Sequence, residues 1–221
     1  MTTTILELRS DLSRLRLAMR NAGTPSKLLT AISTKSLRTP RRQTGRIEHR
    51  TNRDPRWEVD PIHRDYSSEM DAHLVLLRLW IDTLFMKNAP HVDPDLIREL
   101  SLKYFPNDEP PSETKDPVTD EVLDWDQLKF EVVDNPTHGY SRFHIGHLDP
   151  HAVPKHRPDN VRWQLKESND FQDGMDVRVA RIAYLINRLV RGGDARLIPV
   201  VEASFSQLCA DLGLVDPTLG T

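Results

Sequence analysis

His147 is followed 13 residues later by Asn160 and nine after that by Asn169, with Asp173 four further on. An unperturbed imidazole has a pKa of about 6.5, so near neutral pH it can take a proton from water. Amide and carboxylate oxygens suit a hard divalent cation. Arg142, Arg157 and Arg162 lie in the same stretch, and guanidinium groups grip phosphate through paired hydrogen bonds. The local run FHIGHLDP, residues 143–150, leaves three chemistries open on its letters: nucleotide binding, metal binding, or a hydrolytic histidine.

To bring such side chains together the chain needs strand, loop, strand and helix in succession. SRFHIGH and NVRWQL are β-prone, and the loop DPHAVPKHRPD between them holds three prolines. SNDFQDGMDVRVARIAYLINRLV turns helical, most clearly from Asp176, with Val179, Ile182, Ala183, Ile186 and Leu189 at helical spacing. Residues 194–212 suggest one more helix, interrupted near Pro199. Before this block, VLDWDQLKFEVVD reads as short β-prone runs. The N-terminal part is helical in pattern: 4–22, a helix after Pro25 to about Leu37, 67–88 and 94–104. The third is the most apolar, and its wide stripe implies burial on most sides, in a core or a homodimer interface. PNDEPPSETKDP, with four prolines and a run of acids, reads as a linker. It sets the expected division into a helical region, 1–110, and a second domain, 111–221.

His-Ile-Gly-His is also the signature tetrapeptide of class I aminoacyl-tRNA synthetases. That assignment requires a doubly wound nucleotide-binding domain with the tetrapeptide opening a helix. Here two prolines fall within the next seven residues, and only 74 residues remain after His147. Neither allows such a helix or the rest of that domain. A different comparison accounts for more of the chain. GHLDP, HRPDNVRW and KESNDFQDGM resemble the HNH, or ββα-metal, nucleases over about residues 116–180: the His-x-x-Pro step, the Asn-Val opening the second strand, and the Ser-Asn opening the helix. The resemblance implies an α+β fold, a helical N-terminal region followed by a ββα-metal nuclease domain flanked by helices. It also implies a metal-dependent DNA endonuclease. A stand-alone enzyme with an extra domain looks most like a restriction-type one.

The same resemblance gives each residue a role. His147 is the general base, Asn160 braces the loop that aims it, and Asn169 holds a Mg²⁺ or Mn²⁺ ion. Many HNH enzymes place Asp or His directly before the base, whereas this chain has Gly146. Nucleases with Asp-Arg-Gly-His share that glycine and hold the ion through a single Asn. Asp173, at i+4 from Asn169, is expected on the same helical face as a further ligand. The blander alternatives are a turn residue for Asn160, a helix cap for Asn169, a zinc site among His144, His147, His151 and His156, and a DNA-binding protein with a degenerate, inactive version of the fold.

Charge is consistent with a polyanionic partner. The chain carries a formal −3 overall, but residues 35–56 carry a net +6 and residues 107–134 a net −8. The basic stretch has little apolar periodicity and reads as an arm lying along double-stranded DNA, with Arg41, Arg42 and Arg46 among its contacts. One cysteine, Cys209, excludes an intrachain disulfide and a cysteine-based zinc knuckle. No apolar run is long enough to span a bilayer, and the first residues lack a signal-peptide pattern, so a cytoplasmic protein is expected.

Overall fold

A computed structural model describes residues 3–40, 53–108, 110–136 and 141–214. Four helices open the chain: α1 (Ile5–Asn21), α2 (Ser26–Leu37), α3 (Glu69–Leu84) and α4 (Pro94–Tyr104). Short α5 (Trp125–Lys129) and a π-helical turn, Phe130–Asp134, lead to the hairpin β1 (Phe143–His147) and β2 (Val161–Leu165). Helices α6 (Lys166–Gln172), α7 (Val177–Gly192) and α8 (Ile198–Asp211) follow. The class is α+β, as the sequence implies, and no described helix is long and apolar enough to cross a membrane.

Helix α3 is central. Val75, Leu76, Leu77, Leu79, Trp80 and Ile81 are all nearly inaccessible, so the wide stripe is explained by a helix surrounded by protein. Leu8, Leu12, Leu15 and Met19 of α1 and Leu28, Leu29 and Ile32 of α2 pack into the same cluster. That cluster continues through Leu123, Trp125 and Leu128 to Phe143, Val161, Trp163 and Leu165. It draws on both sides of residue 110. Trp163 joins the hairpin to α3, its indole N–H donating to Leu79 O at 3.0 Å and Thr83 Oγ1 at 3.1 Å.

The segment 122–134 corrects the β-prone reading. Asp124 caps a helix there by accepting from the N–H of Asp126 and Gln127, and Trp125 and Leu128, three apart, bury one face. Capping thus overrides β propensity, which is a weak prior.

The strands are antiparallel, with Phe143 opposite Leu165, His144 opposite Gln164, Ile145 opposite Trp163, Gly146 opposite Arg162 and His147 opposite Val161. Side chains alternate across a strand. Phe143, Ile145 and His147 therefore share one face with Val161, Trp163 and Leu165, while His144, Gly146, Gln164 and Arg162 share the other. Helix α6 follows β2 without a loop and lies over the second face. Asp116 fastens that corner. Its fully buried carboxylate accepts from the N–H of Leu165 at 2.7 Å, Val118 at 2.9 Å and Thr119 at 2.8 Å, and from the Ser168 hydroxyl.

Candidate active site

His147 ends β1, and the chain then enters the proline-containing loop to β2. Asn160, 4% exposed, holds that loop shut. Its Oδ1 accepts from Asp149 N–H at 2.7 Å, and its Nδ2 donates to the carbonyls of Asp149 and Lys155, both at 2.8 Å. One amide thus ties both arms of the loop, a task that needs a side chain able to donate and accept. Leu148 N–H donates to Asn160 O at 2.8 Å and extends the pairing one step past the strands.

The His147 imidazole lies among cationic groups. Its ring is 6.1 Å from that of His156, and its Nε2 is buried with no hydrogen-bond partner among the described residues. Burial, then the charges of Lys155 and Arg56, push its pKa down to about 4, against the opposing pull of Asp65. At neutral pH it is an uncharged base. His156 is buried rather than free in the loop. It is 1% exposed, its Nε2 is 2.8 Å from Ser36 O, and burial followed by Arg56 holds it well below the usual histidine range.

Arg56 and Lys35 also depart from the reading of residues 35–56 as an unburied arm. Arg56 is 7% exposed and donates to the carbonyls of Ser36, Lys35 and Asp65, closing the C-terminal end of α2. Lys35 Nζ donates to Phe143 O at 3.3 Å. Burial lowers both pKa values, that of Arg56 to about 10. Arg41, Arg42 and Arg46 lie outside the described residues.

Asn169 stands elsewhere. In α6, its Nδ2 is 3.4 Å from Nδ1 of His144, on the helix-covered face of the hairpin. The charges felt by His144 are those of Lys35, Asp170 and Lys166 rather than Lys155 and Arg56, and burial, the largest cause, lowers its pKa. The structure therefore brings Asn160 to the His147 loop and Asn169 to His144, with the His147 and Asn169 side chains on opposite faces. The helix also starts earlier than Ser168-Asn169, at Lys166, because Leu165 passes directly from strand into helix.

Asp173 does not extend the Asn169 face. Helix α6 stops at Gln172, and Asp173 turns away at φ 48°, ψ −112°. Such a φ is uncommon outside glycine and ends the helical spacing on which the i+4 expectation rested. The three arginines all meet carboxylates of this chain: Arg142 meets Glu121 at 3.1 Å, Arg157 meets Asp159 at 3.3 Å, and Arg162 meets Asp108 at 3.0 Å. A phosphate at any of them would have to displace or share that partner.

A metal at the hairpin–helix face would be held by Asn169 and His144. Among the described residues no three His, Cys, Asp or Glu side chains converge as a metal site. A two-residue hold fits a hard ion that keeps most of its water shell and takes phosphate oxygens. Sequence reasoning missed Gln164, Gln172, Asp116 and Arg56. All four are polar residues that are nearly or fully buried, and nothing in a one-dimensional pattern marks a polar side chain as buried.

No protein-family model matches the chain, and no curated protein matches it. Among solved structures it is similar to one described as the crystal structure of a type II restriction endonuclease. The sequences are 13% identical, 79% of this chain and 80% of that chain are covered, and the TM-score is 0.54. At that identity the likeness establishes a shared fold.

Proposed function

We propose that this chain is a divalent-metal-dependent DNA endonuclease of the HNH, or ββα-metal, type and of restriction character, with His147 as general base. The observation that carries the reading is Asn160, whose amide makes the three loop-closing hydrogen bonds directly behind His147, the role the resemblance assigns it. The shared fold with a protein described as a type II restriction endonuclease supports the same class. In this reading residues 1–110 carry the basic arm and residues 111–221 the catalytic centre.

The chemistry follows from the charges. The neutral His147 would accept a proton from the attacking water at Nε2, which is buried and unpartnered among the described residues, so the pocket must open to admit that water. A base with a pKa near 4 is weak at pH 7. A DNA phosphate entering beside Lys155 and Arg56 offsets two of the charges that depress it and moves the imidazole toward its working range. Mg²⁺ or Mn²⁺ would neutralise charge building on a phosphate; Asn169 with His144 would hold it across the hairpin from His147, so this reading requires the two faces to rearrange for ion and base to meet on one phosphate.

A second reading, a DNA-binding protein with an inactive version of this fold, is favoured by one observation: His147 and Asn169 face opposite sides of the hairpin. Plasmid digestion with Mg²⁺ or Mn²⁺, against chelator, separates the two. The endonuclease reading expects metal-dependent cutting that His147→Ala reduces by about 10²–10⁴-fold, with DNA affinity retained. Metal-independent binding without cutting supports the inactive reading. Cutting that survives His147→Ala but is lost in His144→Ala moves the base to the helix-covered face.

A further inference from the structure

Gln172 is the last residue of α6 and is 2% exposed. Its Nε2 points at three backbone carbonyls: His147 at 2.9 Å, Leu148 at 3.3 Å and Met175 at 2.9 Å. Its Oε1 accepts from Gln164 Nε2 at 2.9 Å. The amide has two hydrogens for three acceptors, so at least one is shared. Glutamine alone among similar-sized side chains can donate twice and accept at once. Glutamate offers no such donors when ionised, and methionine offers none.

This hold reaches back to Gly146. With its nitrogen on Gln172, Gln164 turns its oxygen toward the neighbouring strand, where a Cβ on residue 146 would stand 1.7 Å from Gln164 Oε1. No side chain fits there while Gln164 keeps this pose. Gln164 is 1% exposed and has little room to move. The glycine is thus accounted for by packing. Leu148 O also receives the Val177 N–H at 2.8 Å, so the start of α7, the end of α6 and the exit of β1 meet at one point.

We infer that Gln172, seated by Gln164 over Gly146, is the positioning residue for His147, fixing the backbone from which its imidazole projects. The inference rests on the proposed reading that His147 does the chemistry. Gln172 itself touches no reacting atom. It acts by leaving the 147–148 peptide one orientation, so the imidazole stays in the pocket of Lys155, Arg56 and His156.

The test uses the full chain with histidine labelled for NMR, in Gln172→Met and Gln172→Glu. The methionine variant keeps the length and sets no charge against the three carbonyls, so its His147 midpoint decides the test; in the glutamate variant a new carboxylate raises that midpoint by charge alone. The ring resonances of His147 and His144 are titrated in both variants and in wild type. A loosened β1 exit admits water to the His147 pocket, so its midpoint rises from about 4 to above about 5, while that of His144 stays. Plasmid cutting falls by about 10-fold or more in kcat, with the DNA Kd within about twofold because the phosphate contacts are untouched. A His147 midpoint at the wild-type value in Gln172→Met overturns the inference, whatever the cutting rate. If wild type does not cut DNA, the endonuclease reading falls, and the titration still decides the role of Gln172.

Discussion

Replacing Asn160 by Ala removes three hydrogen bonds and strands three backbone groups: the Asp149 N–H and the carbonyls of Asp149 and Lys155. A buried polar group left without a partner costs about 1–3 kcal/mol. Asp149 and Lys155 are only half-buried, so water recovers part of each loss, and a total of about 2–4 kcal/mol is expected. For a chain of this size each kcal/mol moves Tm by about 2–4 °C, so Asn160→Ala should melt about 4–16 °C below wild type. Asn160→Asp is the sharper perturbation. It keeps an acceptor for the Asp149 N–H but loses both donors and sets a carboxylate against two carbonyls, so it should be at least as damaging as alanine. Calorimetry supplies Tm, and cutting is assayed at a temperature where each variant is folded. There kcat should fall by about 10-fold or more, since the loop no longer aims His147. A Tm within about 2 °C of wild type for Asn160→Asp would refute the loop-brace role and with it the main support for the endonuclease reading.

Acid should destabilise the fold between about pH 6.5 and pH 4. His147 titrates near 4 when folded and near 6.5 unfolded, so the unfolded chain binds the proton first. Its contribution is complete above pH 6.5 and lost as pH falls through 4, on the order of 2 kcal/mol after discounting partial exposure. Denaturant melts across that range should show a shallower loss for His147→Gln. Gly146→Ala should lower Tm by several degrees through collision with Gln164, and adding Gln164→Ala should restore part of it; additive losses would count against the packing account of the glycine. Replacing Arg41, Arg42 and Arg46 by Ala should flatten the dependence of log K on log salt by up to about 2.7 if all three touch phosphate, and an unchanged slope in a binding series would remove them from the interface.

The elements were largely legible in the sequence because they obey local rules. The spacing of Leu8, Leu12, Leu15 and Met19 sets α1, Asp93-Pro94 starts α4 through a cap and a proline in its first turn, and two β-prone runs flank the loop between His147 and Asn160. The place of Asn160 in the loop was legible for the same reason, since its partners lie within 11 residues along the chain. Tertiary structure decided which of them meet. His144 and His147 are three residues apart and so face opposite sides of a strand, and only the placement of α6 determines which one Asn169 reaches. Asp173 left the helical face because a single residue took a positive φ, which spacing does not encode. Arg56 and Lys35 look like the rest of a basic arm in one dimension, yet they are buried because carbonyls of α2, β1 and the loop at Asp65 converge on them. Gly146 is required by Gln164, 18 residues away in sequence and within touching distance across the hairpin. Such contacts depend on how strands, helix and loop are stacked, which no local pattern of residues specifies.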